Sequence, residues 1–188
     1  LERMWKIDRR ALAITLVVAG VTIYVDPIFG ILAGSIISLL LFLNTLSKGQ
    51  FDLVINDPDK GVVGKISGDT LDDKVTENSH TMVYSIKGHL TYLDSQAHIA
   101  RFETGLNGYE NIILRLRELY FLDLDGIDAL DEIISIIEGN GKKVYISGAN
   151  DLIIHALRQG LKFRKLERSG NVFKNTASAL QSLGFNIP

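Results

Sequence analysis

The 188-residue sequence has no cysteine. That excludes a disulfide framework, a thiolate metal site and a cysteine nucleophile. It also lacks an excess of either charge. Twenty Lys and Arg stand against 22 Asp and Glu, a formal net charge of −2. Nothing in that balance favours nucleic acid, which is not expected as a partner. The four histidines, His80, His89, His98 and His155, are scattered and show no His-x-x-x-His spacing. No metal and no cofactor are expected. There is no Gly-x-Ser-x-Gly nucleophile elbow, no P-loop lysine and no Gly-x-Gly-x-x-Gly. No catalytic residue is assigned, and the chain is not expected to be an enzyme.

Two long apolar runs are present instead. Residues 11–25 are apolar apart from two Thr, one Tyr and a Gly, and Asp26-Pro27 breaks the run. Residues 28–46 form the second run, interrupted only by Gly, Ser, Asn and Thr. As a helix the second is about 28 Å long, close to a hydrocarbon core of roughly 30 Å. The first is shorter and needs its flanks to span. Neither run shows a polar face, and a helix apolar all round needs lipid or a large core. A transmembrane helical hairpin is therefore expected over 1–48. Lys6, Arg9 and Arg10 precede it and Lys48 follows it. Positive flanks stay cytoplasmic, so both ends and everything beyond Lys48 are expected there. Ala33, Gly34, Ser35 and Ser38 favour close helix packing in the second span. Neither run carries a buried charge or an internal repeat, so the two cannot by themselves form a transport path.

Residues 49–80 read as a linker rich in turn formers, including Asn56, Asp57, Pro58, Gly61, Gly64 and Gly68. Within it 62–66 has the composition of a short strand. Alternation of strands and helices follows over 81–188. Strands are expected at 82–86, 111–116 and 143–146, with a short extended piece at 90–93 and a last strand element within 166–173. Asp94-Ser95 is positioned to cap a helix carrying Ile99, Phe102 and Leu106. Asn150 or Asp151 begins another, carrying Ile153, Ile154, Leu157 and Leu161. A final helix is expected at 176–183. This order implies a mixed α/β sheet with helices packed on it.

The most informative stretch is 119–137, LYFLDLDGIDALDEIISII. Ile127, Leu130, Ile133, Ile134 and Ile137 recur at helical spacing, while Asp128, Asp131, Glu132, Ser135 and Glu138 occupy the other face. The turn Asp123-Leu124-Asp125-Gly126 therefore joins a buried strand to an amphipathic helix. The N-terminus of that helix offers free N–H groups. Capping accounts for acids placed there. Two further clusters stand apart. Ser147-Gly148-Ala149-Asn150 precedes a helix and could cradle an anion on its N–H groups. Lys162, Arg164, Lys165 and Arg168 form a basic group suited to anionic headgroups or an acidic partner.

Asp123-Leu124-Asp125-Gly126 resembles the Asp-x-Ser-Gly turn of STAS domains, the fold shared by anti-sigma-factor antagonists and the tails of sulfate permeases (SulP family). Asp125 stands where the antagonists carry a phosphorylatable Ser. Residues 85–102, SIKGHLTYLDSQAHIARF, are similar to the family's lead into its first helix, with Gly88, Leu90 and Tyr92 at matching positions. A two-span hairpin in front of this domain resembles the C-terminal end of a SulP anion transporter. The sequence begins at Leu1 and reads as a piece of a longer chain.

The resemblance implies a non-enzymatic cytoplasmic STAS tail on a multi-pass cell-membrane transporter of sulfate or bicarbonate type. Its implied partners are membrane lipid, its own membrane domain and a second copy in a homodimer. The docking surface implied by the phospho-turn is Asp123, Asp125, Gly126, Ile127 and Asp128. The alternative reading is an antagonist-like signalling module that docks a partner protein.

Overall fold

The computed structural model describes residues 9–46, 49–57, 61–67, 81–106 and 108–185. The flanking Lys6 and Lys48, and the stretch 68–80 with His80, lie outside the described residues. The chain divides into two compact units, Leu1–Leu46 and Ser47–Pro188.

In the first unit α1 (Arg9–Tyr24) and α2 (Pro27–Leu46) form the expected hairpin. Asp26 makes the break. Its Oδ1 accepts from the Ile28 N–H at 2.7 Å, and Pro27 occupies the first helical position, where no N–H is needed. The helices approach through glycine. A Cβ at Gly30 would lie 2.0 Å from Thr22 Oγ1, and one at Gly34 would lie 3.0 Å from Val18 Cγ2. Small residues four apart let two backbones pack closely. Among the described residues one helix is long and apolar enough to cross a membrane. It has a mean hydropathy of 2.0 over Pro27–Asn44, with 6% of that window buried. The apolar part of α1, Leu12–Tyr24, falls short of that length.

The second unit is a six-stranded sheet in the order β2-β1-β3-β4-β5-β6. Its strands are β1 (Gln50–Asp57), β2 (Gly61–Ser67), β3 (Thr81–Leu90), β4 (Asn111–Leu122), β5 (Lys143–Ser147) and β6 (Val172–Phe173). β2, β1 and β3 pair antiparallel, while β3 to β6 run parallel. Between them lie α3 (Tyr92–Thr104), α4 (Leu124–Gly139), α5 (Asp151–Leu157) and α6 (Leu161–Arg168), and α7 (Thr176–Ser182) follows β6. This is the mixed sheet with packed helices that the alternation implies. The main core joins Met82, Tyr84 and Ile86 of β3 and Ile112, Leu114 and Leu116 of β4 to Phe102, Leu130, Ile133, Ile134 and Ile137. A smaller cluster on the other face joins Val83 and Ile113 to Ala179, Leu180 and Phe185.

Several local expectations change. Residues 49–80 hold more than the short strand expected at 62–66: β2 contains that strand, and β1 is a further strand of the sheet. Phe51 and Leu53 alternate inward from β1 into the main core. Leu90 ends β3, so 90–93 is no separate strand. α3 begins at Tyr92, with Asp94 in its first turn accepting from the Thr91 N–H at 2.7 Å and its hydroxyl at 3.1 Å. β4 runs six residues past the expected end. The helix expected through Leu161 stops at Leu157 and restarts at Leu161, which is exposed.

Candidate functional site: the turn at Asp123

The turn sits where β4 ends. Asp123 holds an extended backbone (φ −97°, ψ −175°), and its Oδ1 accepts from the Gly126 N–H at 2.8 Å. It is the N-cap of α4. Its own N–H donates to the Leu90 carbonyl at 3.4 Å, tying the turn to the end of β3. Gly126 and Ile127 are buried against that strand end. Of the five residues expected to form the docking surface, these two are buried. Leu124, Asp125 and Asp128 are exposed.

Asp131 is not simply a solvated residue of the polar face. Its carboxylate accepts from the Lys162 and Phe163 N–H groups at 3.1 and 3.3 Å. It thereby caps α6, whose own N-cap, Gly160, has no side chain. A Cβ at Gly160 would meet Asp131 Oδ1 at 2.7 Å, so that close approach needs glycine. Glu138 pairs with Lys165 at 2.9 Å and Lys162 at 3.0 Å. Hydrogen bonds from Lys165 and then Lys162 hold its carboxyl below the usual range. Half of the basic cluster on α6 is therefore matched within the domain.

Exposed apolar side chains that the spacing argument did not select lie on the elements that adjoin the turn. Tyr120 and Phe121 extend β4, Tyr92 and Leu93 open α3, and Leu124 opens α4; all five are exposed. β3 and β4 pair His89 with Phe121 and Leu90 with Leu122, which brings these element ends together. The signal was available in LYFLDL, where more apolar side chains occur than one sheet face can bury.

His98 is a core residue. Its Nδ1 lies 2.7 Å from the Tyr84 hydroxyl, and Tyr84 also stacks on Phe51 with centroids 5.1 Å apart. Burial first, then the nearby Arg101 charge, pushes His98 down to about 3. Burial likewise raises the Tyr84 phenol. Among the described residues no cluster of three His, Cys, Asp or Glu could hold a metal ion.

The STAS domain family matches residues 73–179, which include the turn and more than half of the chain. The chain belongs to the STAS family. A murine Solute Carrier 26 family member A9 anion transporter, solved in the inward-facing state, is similar over 96% of this chain and 29% of its own, with a TM-score of 0.65 at 15% identity. The STAS domain of a Vibrio cholerae SulP transporter is 25% identical over 53% of this chain and 77% of its own, with a TM-score of 0.45. The unphosphorylated anti-sigma factor antagonist SpoIIAA is 14% identical over 62% of this chain and 96% of its own, with a TM-score of 0.46. The STAS chain spans less than a third of the length of the murine transporter. No curated protein matches the sequence.

Proposed function

We propose that the chain is the C-terminal portion of a SulP-type membrane anion transporter. The hairpin is the end of its membrane domain, and the STAS domain is a cytoplasmic tail that regulates or assembles the transporter without chemistry of its own. The observation that carries this reading is the extent of one likeness. An anion transporter is similar over 96% of the chain, which takes in the hairpin as well as the STAS domain. The apolar surface of α2 agrees with a lipid setting.

The tail works through contact. Asp125 and Asp128 are exposed, and so are Leu124, Phe121 and Tyr92 on the adjoining element ends; acidic and apolar side chains of this kind suit protein docking. Its partner in this reading is the membrane domain or the second copy of a homodimer. The antagonist-like alternative shares the fold, but Asp125 has no hydroxyl to phosphorylate. It holds a permanent charge instead.

Sided labelling tests the reading. With the chain in cell membranes, a cysteine placed at Asp26 reacts with an impermeant reagent from outside. A cysteine at Asp125 reacts only after the membrane is opened. Release of the chain by alkaline washing, or labelling of both positions from one side, contradicts the proposal.

A further inference from the structure

A second candidate site lies beside the middle of β4 and the carboxyl end of β5, where Arg115 pairs with Ser147. A cavity of about 510 Å³ is lined there by Arg115, Arg117, Gly148, Lys174, Asn175 and Thr176. That volume is in the range of small-molecule sites. Three of its lining side chains are cationic and none is a carboxylate.

The pairing around it is incomplete. Arg115 meets Glu118 at 3.3 Å, but Glu118 also serves Lys87 at 3.4 Å. Arg117 and Lys174 have no acidic partner among the described residues. Three like charges converging on one concave wall repel one another, and an anion between them removes that repulsion. The backbone is shaped to permit the convergence. Gly148 has φ +77°, and a Cβ there would lie 3.1 Å from Arg117 Cβ, so glycine leaves room for the arginine stem. Thr176 brings a hydroxyl to the same wall, held 3.1 Å from Ser147 Oγ.

The geometry points to a binding site for a small phosphate-bearing anion, gripped by Arg117 and Lys174 with Arg115 and Thr176 beside them. Guanidinium forks fit phosphate oxygens in pairs, and lysine adds a point charge. No aromatic side chain lines the cavity, so it offers no platform for a nucleobase. Recognition rests on the phosphate, and the remaining volume accommodates its carrier. The site is separate from the Asp123 turn and does not depend on the docking face.

The test titrates inorganic pyrophosphate into the full chain in a non-ionic detergent, read by calorimetry. Saturable binding is expected, weakened roughly tenfold or more by Arg117→Gln and by Lys174→Gln. Arg164→Gln, which removes a charge from the basic surface of α6, leaves it unchanged. Melting temperatures stay level across the three variants. Absence of saturable binding overturns the proposal, and so does equal weakening by Arg164→Gln. Co-flotation with phosphatidylglycerol vesicles is the second arm. Vesicle binding that needs Arg117 and Lys174, without pyrophosphate binding, identifies a lipid headgroup site and overturns the soluble ligand.

Discussion

Gly126 lies against the main-chain carbonyl of Leu90. A Cβ at position 126 would stand 2.1 Å from that oxygen and 2.9 Å from Leu122 Cδ1. The glycine of the turn is therefore a packing requirement, set by how closely α4 must start beside the end of β3. Gly126→Ala is expected to destabilise the STAS domain by about 1–3 kcal/mol, the usual range for overpacking. Chemical denaturation of the chain and its variant checks this. A neutral result contradicts the tight approach.

The two acids of the turn separate cleanly. Asp123→Ala removes the N-cap of α4 and is expected to cost about 1 kcal/mol. Asp125→Ser leaves the cap in place and changes stability by less than about 0.5 kcal/mol, as at most exposed positions. Thermal melts of both variants decide it. Equal losses contradict the assignment of the cap to Asp123 alone.

Residues 49–80 matter to folding through β1. A fragment of residues 81–188 lacks Phe51 and Leu53, both buried in the main core. It also leaves the β1-facing edge of β3 without its partner strand. It is expected to unfold with lower cooperativity, or to associate, whereas residues 49–188 give one cooperative transition. Equal stability of the two fragments contradicts the role of β1.

His98 gives the domain a pH dependence of fixed sign. Its folded value, about 3, lies below the ordinary 6.5. Between those values the unfolded chain binds the proton and the folded chain does not. Its contribution is present above about pH 6.5 and declines as pH falls toward 3, by at most about 1.4 kcal/mol per pH unit. Glu138 adds a loss of the same sign at lower pH, because its carboxyl is held down by Lys165 and Lys162. His98→Gln is expected to flatten the slope between pH 6.5 and 5, as followed by urea midpoints. An unchanged slope there contradicts a neutral buried imidazole.

Local pattern was enough for α4 and not for several of its neighbours. The spacing of Ile127, Leu130, Ile133, Ile134 and Ile137 places the buried stripe, and all five are buried. Asp123 before that stripe marks its cap. β1 went unread as a strand because Asn56 and Asp57 at its end look like turn formers. Its two inward side chains, Phe51 and Leu53, acquire meaning only beside β3. The restart at Leu161 depends on Asp131, thirty residues earlier, capping a helix that follows a glycine. Nor does any local pattern bring His98 to Tyr84. In each case the deciding group comes from a distant element, which periodicity cannot report.

The proposed surface role of the turn is tested most directly by a transport assay on the proposed parent transporter. Asp128 is exposed one residue past the buried Ile127. Asp128→Lys is expected to change the anion flux or the yield of dimer while the melting temperature of the domain stays constant. Flux and dimer yield that both match the parent, with Asp128→Lys shown to be folded, contradict a docking face here and leave capping as the whole reason for these acids.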